Sequence, residues 1–310
     1  MFKAIKKYFN LFSMGRYSEV FMLFIPWDNF LLNFYRLKKA EKKYKQALNK
    51  KPPIIKSDNI NDYEFSIFSQ NGEDGILDYI FEKIGVTNGK FVEIGCGHTQ
   101  NNSLYMVCKR NFQGLFLDGA RFNIKAFNNF NKKILKSDNI AVEAWLDTEN
   151  VNSIISSYIS EKTIDLLSID VDGYDYWLWD AIDSIEPRVV IMEYNASLGL
   201  RSLTLPYVEK FDLFDYPHDP KHSCWYHGAS LKALYKLGLK KNYVLVGTDA
   251  NGVNCFFVKK DIALKHNLKP QDPDSAFKCH KTRTEGTFTK VPLSQEEQFK
   301  RIKNFDFIEV

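Results

Sequence analysis

The sequence lacks the cysteine pattern of a disulfide framework. Its five cysteines are odd in number, lie scattered along the chain and form no CxxC pair, which favours a reducing, cytoplasmic compartment. A run of 18 apolar residues is also absent. The most apolar window, residues 20–35, is interrupted by Pro26 and Asp28, so neither a membrane-spanning helix nor a cleavable signal peptide fits it.

Positive charge is not spread evenly over the chain. Residues 1–56 hold 13 Lys and Arg against 3 Asp and Glu, which leaves 29 basic and 35 acidic residues downstream. The net charge of +4 therefore divides into +10 and −6. A negatively charged main domain is poorly suited to follow a phosphate backbone, so we expect no nucleic-acid partner and favour a small-molecule ligand.

The basic segment 1–56 is predicted to be a helical extension. Phe2, Ile5, Phe9 and Phe12 repeat at helical spacing, with lysines on the other side. This amphipathic helix can rest on an anionic membrane surface at the inner face of the membrane, through residues 1–50, or pack on the main domain or a second subunit. A second, Lys-rich helix over 36–51 is predicted to end at the following proline pair.

Strand-like and helical runs alternate after residue 56, as a parallel sheet with crossover helices requires. The predicted strands are 90–95, 114–118, 140–145, 164–170 and 188–194, with a closely spaced pair, 243–248 and 254–259, at the end. That last spacing demands an antiparallel hairpin. We therefore predict an α/β fold: five parallel strands plus a terminal hairpin over 57–262, followed by a polar extension, 263–310, with a helix opened by the capping box Ser294-x-x-Glu297.

A glycine-containing turn follows the first predicted strand. Gly95 and Gly97 let the backbone turn sharply and approach a ligand. Asp118 ends the next strand, where its carboxylate can accept hydrogen bonds from ribose hydroxyls. A tight turn with a helix-capping Asp118 is the alternative. Gln100 stands where a dinucleotide fingerprint needs glycine, and no phosphate-binding Gly-Lys-Ser follows, so NAD and ATP fit less well.

These patterns, together with the strand order, resemble the class I S-adenosylmethionine-dependent methyltransferases, and most of all the FkbM-like family. The resemblance covers about residues 65 to 260, through the stretches 68–76, 91–103, 167–175 and 228–231. It implies a Rossmann-like seven-stranded methyltransferase sheet that binds S-adenosyl-L-methionine. The implied cofactor-binding residues are Gln70, Gly72, Glu73, Asp74, Glu93, Gly95, Gly97, Asn102, Asp118 and Gly119. The sequence departs from the motifs most common in that family at Asp172-Gly173 and at His98-Thr99.

Acidic residues follow the fourth and fifth predicted strands. Asp170, Asp172 and Glu193 lie where open α/β sheets bind ligands, and their carboxylates can hold a divalent metal, orient an acceptor or act as a general base. Helix capping is the alternative role for Asp172. A histidine-rich segment, 218–227, fits no standard zinc module, so we expect a general base there, His222 or His227.

The sequence thus predicts an enzyme that transfers a methyl group to a hydroxyl oxygen. The resemblance implies an acceptor that is a sugar, or a phosphorylated or nucleotide-linked precursor of a surface polysaccharide such as capsule; a nitrogen acceptor and an oligomeric assembly stay open. Two alternatives remain. One is a non-catalytic cofactor-binding partner of a membrane-surface glycan-assembly complex, and the other is an NAD-dependent oxidoreductase.

Overall fold

A computed structural model describes residues 30–97, 101–209, 225–287 and 290–310. The strands are β1 (Lys90–Ile94), β2 (Gln113–Asp118), β3 (Ile140–Glu143), β4 (Thr163–Ile169), β5 (Glu186–Glu193), β6 (Leu203–Thr204), β7 (Tyr243–Thr248), β8 (Asn254–Lys259) and β9 (Ile308–Glu309). The helices are α1 (Phe30–Asn49), α2 (Glu73–Ile84), α3 (Leu104–Arg110), α4 (Arg121–Phe130), α5 (Val151–Ser156), α6 (Asp175–Ala181), α7 (Leu231–Lys240), α8 (Lys260–Lys265), α9 (Pro273–Ala276), α10 (Lys281–Thr284) and α11 (Gln295–Ile302).

Seven of these strands form one sheet in the order β3-β2-β1-β4-β5-β8-β7. Strands β1 to β5 pair in parallel, and β8 pairs antiparallel with both β5 and β7. The predicted fold class is therefore confirmed: a Rossmann-like α/β sheet of five parallel strands with a terminal antiparallel hairpin. Because parallel strands point the same way, the carboxyl ends of β1, β2, β4 and β5 meet at one edge.

The two faces of this sheet carry different parts of the core. On one face, Val92 and Ile94 of β1 pack in an apolar cluster with residues of α5, α6 and α7. On the other, Phe91 and Phe116 meet at a ring-centroid distance of 4.9 Å, and Phe116 meets Phe127 of α4 at 4.2 Å. The central strands are buried on both sides, which explains their nearly continuous apolar runs.

The predicted C-terminal extension packs on the main sheet domain. Its residues Ala276, Leu293 and Ile302 belong to the apolar core. The predicted capping box is confirmed, since Ser294 accepts from the Glu297 amide and the Glu297 side chain accepts from the Ser294 amide. Ser197, just after β5, donates to Gln298 of α11 at 3.0 Å. This segment therefore returns to the carboxyl edge of the sheet.

The chain divides into two compact units between Lys42 and Lys43, within α1. The predicted domain boundaries at residues 56 and 262 stay predictions. The predicted amphipathic helix with Phe2, Ile5, Phe9 and Phe12 lies outside the described residues. Within the described part of the chain, no helix combines the length and the apolar character needed to cross a membrane.

A buried ion pair joins the amino ends of β4 and β5. Arg188 donates to Asp165, whose carboxylate also accepts from the amides of Asn88 at 2.9 Å and Gly89 at 2.6 Å. Both side chains are buried. Loss of one partner would leave the other charge buried and unpaired, which is costly.

We expect Arg188→Met to lower the free energy of unfolding by about 3 to 5 kcal/mol, because Asp165 would keep its buried charge without its cation. Denaturant unfolding followed by circular dichroism measures this change. Lys240→Met is the matched control, since Lys240 pairs with Asp180 at the surface and such pairs contribute about 0 to 1 kcal/mol. Equal losses in the two variants would contradict the prediction.

Candidate active site

The turn after β1 is tightly coupled to the end of β4. Gly95 has a φ of +85°, and a Cβ added there would lie 1.6 Å from the carbonyl oxygen of Asp170. The Asp170 amide in turn donates to the Ile94 carbonyl at 2.9 Å. Only glycine fits this position. Gly97 is described, whereas residues 98–100 of the same turn are not.

Glu93, the penultimate residue of β1, is buried and holds the start of α3. Its carboxylate accepts from the amides of Asn102 and Ser103, both at 2.9 Å. Burial raises its pKa to about 7, which the two hydrogen bonds oppose. Glu93 thus shapes the turn, and its predicted direct contact with the methionine part of a cofactor stays a prediction.

The two asparagines before α3 differ in their contacts. Asn102 donates from Nδ2 to the Ser168 hydroxyl at 3.1 Å. Asn101 is buried, and neither its amide nitrogen nor its amide oxygen has a hydrogen-bond partner among the described residues. A buried amide without partners is unusual and costly, so Asn101 is a candidate for ligand contact. Its place in the sequence gives no signal for such a role.

Asp118 ends β2 with its carboxylate partly engaged. The Ala120 amide donates to Oδ1 at 2.6 Å, and Asn123 Nδ2 donates to Oδ2 at 3.1 Å. Burial raises the pKa of Asp118, and these bonds oppose the rise. These two bonds close a tight turn after β2, but neither caps α4, whose N-cap residue Ala120 has no side-chain cap hydrogen bond. A carboxylate offers about four acceptor sites, so two remain for a ligand.

An exposed indole lies beside Asp118. A Cβ added to Gly119 would lie 2.7 Å from Cε3 of Trp145, a residue that follows β3 and is 49% exposed. Gly119 therefore leaves room for the Trp145 ring to lie close against the backbone. Large exposed aromatic rings supply a flat apolar surface for a planar ligand. The sequence signal for Trp145 was only its place at the end of a predicted strand.

The segment before α2 is held mainly by the two acidic residues at the start of that helix. Asp74 is buried and accepts from the amides of Ile67 and Phe68, at 2.6 and 2.7 Å. Glu73 accepts from the Asn71 amide and from Asn254 of β8. Gly72 has a φ of +101°, and Gln70 is exposed. The cofactor contacts predicted for these four residues, 70 and 72–74, stay predictions. The Asp74 carboxylate already accepts hydrogen bonds from the preceding loop.

The predicted acidic group does come together. One carboxylate oxygen from each of Asp170, Asp172 and Glu193 lies within 4.8 Å of the others. Asp172 has a φ of +56°, and Asp175 holds this loop by accepting from the amides of Val171 at 2.9 Å and Gly173 at 3.0 Å. Strained backbone of this kind concentrates at functional sites.

Burial raises the pKa of Asp170 well above its ordinary value, and the charges of Asp172 and Asp175 add to this rise. Burial likewise raises the pKa of Glu193, with Asp170 and Asp172 adding to it. Asp172 is the most exposed of the three acids. Burial of its carboxyl group between the walls of the crevice still raises its pKa, and the charge of Arg283 opposes that rise. These acids therefore favour a bound cation or a shared proton.

His227 stands behind Glu193, next to a buried arginine. Its Nδ1 lies 3.7 Å from Glu193 Oε2, and its Nε2 lies 3.2 Å from Nη2 of Arg283. A guanidinium only donates, so Nε2 accepts and the proton sits on Nδ1, facing Glu193. Burial lowers the pKa of His227 well below its ordinary value, and the Arg283 charge adds to this. At 3.7 Å the Nδ1–H faces Glu193 without hydrogen-bonding to it, and the arrangement leaves no ring nitrogen to take a proton from a ligand.

Arg283 comes from α10 in the C-terminal segment. It donates to Ser197 at 2.7 Å and to Asn195 at 3.2 Å, and it is buried. Asn195 Nδ2 donates to the backbone carbonyls of Trp225 and His227. Sequence reasoning missed Arg283, because one arginine in a polar stretch carries no signal. The predicted base His222, with His218 and Cys224, lies outside the described residues.

Fold and site together define a Rossmann-like α/β protein with an acidic crevice at the carboxyl edge of its sheet. No protein-family model matches the sequence, and no curated protein matches it. Solved structures with similarity include the O-methyltransferase from Bacillus cereus in complex with SAH. It is 13% identical, with 78% of this chain and 96% of that chain covered and a TM-score of 0.40.

Two further solved structures are similar at the same level. The N-terminal domain of EvdMO1, in the presence of SAH and D-fucose, is 10% identical, with 71% of this chain and 94% of that chain covered and a TM-score of 0.39. An S-adenosylmethionine-dependent methyltransferase from Clostridium acetobutylicum is 12% identical, with 59% and 89% covered and a TM-score of 0.37. At these values the similarities carry no argument about function.

We expect the free energy of unfolding to fall as the pH rises from 5.5 to 7.5. Burial raises the pKa of Asp74, Glu93 and Asp249 to about 7 and that of Asp175 to about 6. The folded chain therefore holds protons that the unfolded chain, with carboxyl pKa values near about 4, has already lost. His227, whose pKa is lowered, acts in the opposite direction, one group against four.

Urea unfolding in a chelator-containing buffer, at several pH values in this window, checks the prediction. Glu186→Gln is the control, because the pKa of Glu186 is lowered by Lys259 and it stays ionised throughout. The variant should show the same trend as the original chain. A stability that rises steadily with pH would show that these buried acids do not hold their protons.

Proposed function

We propose that the chain is an S-adenosyl-L-methionine-dependent methyltransferase. The observation that carries this proposal is the set of groups at the carboxyl edge of β1, β2 and β3 that still have capacity for a ligand. Asp118 keeps two acceptor sites for the ribose hydroxyls, and the exposed Trp145 ring beside it offers a face to the adenine. The amide of Asn101, buried near the glycine turn, can bind the amino-acid end.

The acidic crevice next to this region supports transfer to an acceptor. The sulfonium of the cofactor already activates its methyl group, so the protein has mainly to align and deprotonate the acceptor. Alignment of the reacting atoms can lower a barrier by about 7 to 11 kcal/mol, whereas a general base contributes about 10²- to 10⁴-fold. We assign the base to Asp170 or Glu193, because a carboxylate whose pKa is raised is a stronger base than an ordinary one.

A divalent cation fits the same group of acids. Asp170, Asp172 and Glu193 offer an all-oxygen donor set, which suits magnesium, calcium or manganese. When bound, such an ion would favour the deprotonated form of an acceptor hydroxyl. Its two charges and that of Arg283 would balance the three carboxylates. His227, whose Nε2 accepts from Arg283, would not act as the base.

The proposed acceptor is a hydroxyl of a sugar or of a phosphorylated or nucleotide-linked precursor of a surface polysaccharide such as capsule. This part of the proposal rests on the resemblance of the motifs alone. We also propose that residues 1–50 contact the inner face of a membrane, a proposal that the basic excess of residues 1–56 supports.

We expect calorimetric titration of the full chain with S-adenosyl-L-methionine to show binding, and Asp118→Ala to weaken it about 10- to 100-fold. The reason is that hydrogen bonds to a charged group contribute about 1.5 to 3 kcal/mol. Asp138→Ala is the matched control, an exposed aspartate just before the amino end of β3. Absence of heat from the original chain, without competition by S-adenosylhomocysteine, would refute the proposal.

We expect Asp170→Asn to reduce methyl transfer about 10²- to 10⁴-fold while cofactor binding is largely kept, because the change removes a base or a cation ligand. The assay incubates the chain with labelled S-adenosyl-L-methionine and fractionated precursors from the source cell, and mass spectrometry identifies the product. Asp180→Asn, at the surface of α6, is the control. Full turnover by the Asp170 variant would remove Asp170 from the chemistry.

A further inference from the structure

Asn254 lies directly beside the acidic group. It is the first residue of β8 and the antiparallel partner of Glu193, the last residue of β5. Side chains of directly opposite residues project from the same face of a sheet, with their Cβ atoms about 4.5 to 5.5 Å apart. Asn254 is 3% exposed. Its amide is therefore buried on the face from which Glu193 reaches Asp170 and Asp172.

The orientation of this amide is fixed by Glu73. Asn254 Nδ2 donates to Glu73 Oε1 at 2.7 Å. Glu73 also accepts from the Asn71 amide at 2.5 Å and from Asn71 Nδ2 at 3.0 Å, so it acts as an acceptor throughout. A flipped Asn254 amide would bring two acceptors together. The amide oxygen must therefore point away from Glu73.

That oxygen, Oδ1 of Asn254, has no hydrogen-bond partner within the described part of the chain. A buried carbonyl oxygen without a donor costs about 1 to 3 kcal/mol. The cost is greater near carboxylates, since all these groups are acceptors. A donor or a cation between them would remove both the unsatisfied oxygen and the repulsion.

We propose that Asn254 Oδ1 is a fourth oxygen ligand of a divalent cation bound by Asp170, Asp172 and Glu193. This inference rests on the metal part of the proposed function. Amide oxygens and carboxylates are the ligands that magnesium, manganese and calcium take from proteins. The site would then join the ends of β4 and β5 to the hairpin strand β8, and Glu73 would be the residue that positions the fourth ligand.

Electron paramagnetic resonance titration of the full chain with Mn²⁺ at pH 7.5 tests this proposal. We expect Asn254→Ala to weaken Mn²⁺ binding at least about 10-fold, the scale seen when supporting contacts of metal sites are lost. Asp172→Asn should weaken it as well. Asn251→Ala, which alters a nearby amide whose bond to Asn71 is 3.3 Å long, should bind within about twofold of the original chain.

Asn254→Asp separates ligation from packing and carries the test if the alanine variant does not fold. It keeps an oxygen for the cation but loses the donor to Glu73, so we expect Mn²⁺ affinity equal to or above that of the original chain. A weakening equal to that of alanine would overturn the proposal. So would Mn²⁺ binding that responds to Asp172→Asn but not to Asn254→Ala.

Failure of this inference is distinguishable from failure of the proposed function. Titration of the same preparations with S-adenosyl-L-methionine reports on the cofactor independently of Mn²⁺. Cofactor binding without any Mn²⁺ binding would overturn the metal ligand and leave the methyltransferase proposal in place. Mn²⁺ binding that depends on Asn254 without cofactor binding would do the reverse.

Discussion

Repulsion between closely spaced carboxylates is the constraint on which the rest of this structure depends. Parallel strands bring their carboxyl ends to one edge, and here that edge carries Asp170, Asp172 and Glu193 with oxygens within 4.8 Å of one another. Such a group is stable only if protons, cations or donors offset its charge. Within the described ranges the charge of Arg283 acts on Asp172 and Glu193, and capacity for a further cation remains. The chemistry that we propose uses this remaining capacity.

The C-terminal segment is part of the solution to this constraint. Arg283 reaches the crevice from α10 and contacts Ser197 and the ring of His227. The apolar residues Leu293 and Ile302 anchor the same segment in the core. The C-terminal segment that is predicted from the sequence as a polar extension therefore forms one wall of the site in the structure. The charge of Arg283 also adds to the effect of burial, which lowers the pKa of His227.

Much of the sheet could be predicted, because strand and hairpin signals are local. The terminal hairpin has the predicted bounds, 243–248 and 254–259, and the five parallel strands differ from prediction by at most two residues at either end. The convergence of Asp170, Asp172 and Glu193 also followed from strand order alone. Asp118 lies at the end of its strand as predicted, whereas the alternative of a helix cap is wrong, because α4 has no side-chain cap hydrogen bond.

The missed residues are those whose role depends on distant contacts. Arg283 lies 88 positions from its partner Asn195, and Asn254 lies 181 positions from Glu73. Neither the residue type nor the spacing in the sequence predicts such pairs. Asn101 and Trp145 stand out only through burial and exposure, which require the folded chain. Likewise, the lowered pKa of His227 follows from burial and from the neighbouring Arg283, and neither can be read from a motif.

The central claim is that this crevice seats a sulfur nucleoside beside an acidic acceptor site. A crystal structure of the chain grown with S-adenosylhomocysteine tests it most directly. The account predicts ribose hydroxyls on Asp118, the adenine against Trp145 and the sulfur directed toward Asp170 and Glu193. A nucleoside bound elsewhere, or side chains filling the crevice while the ligand stays in solution, would contradict it.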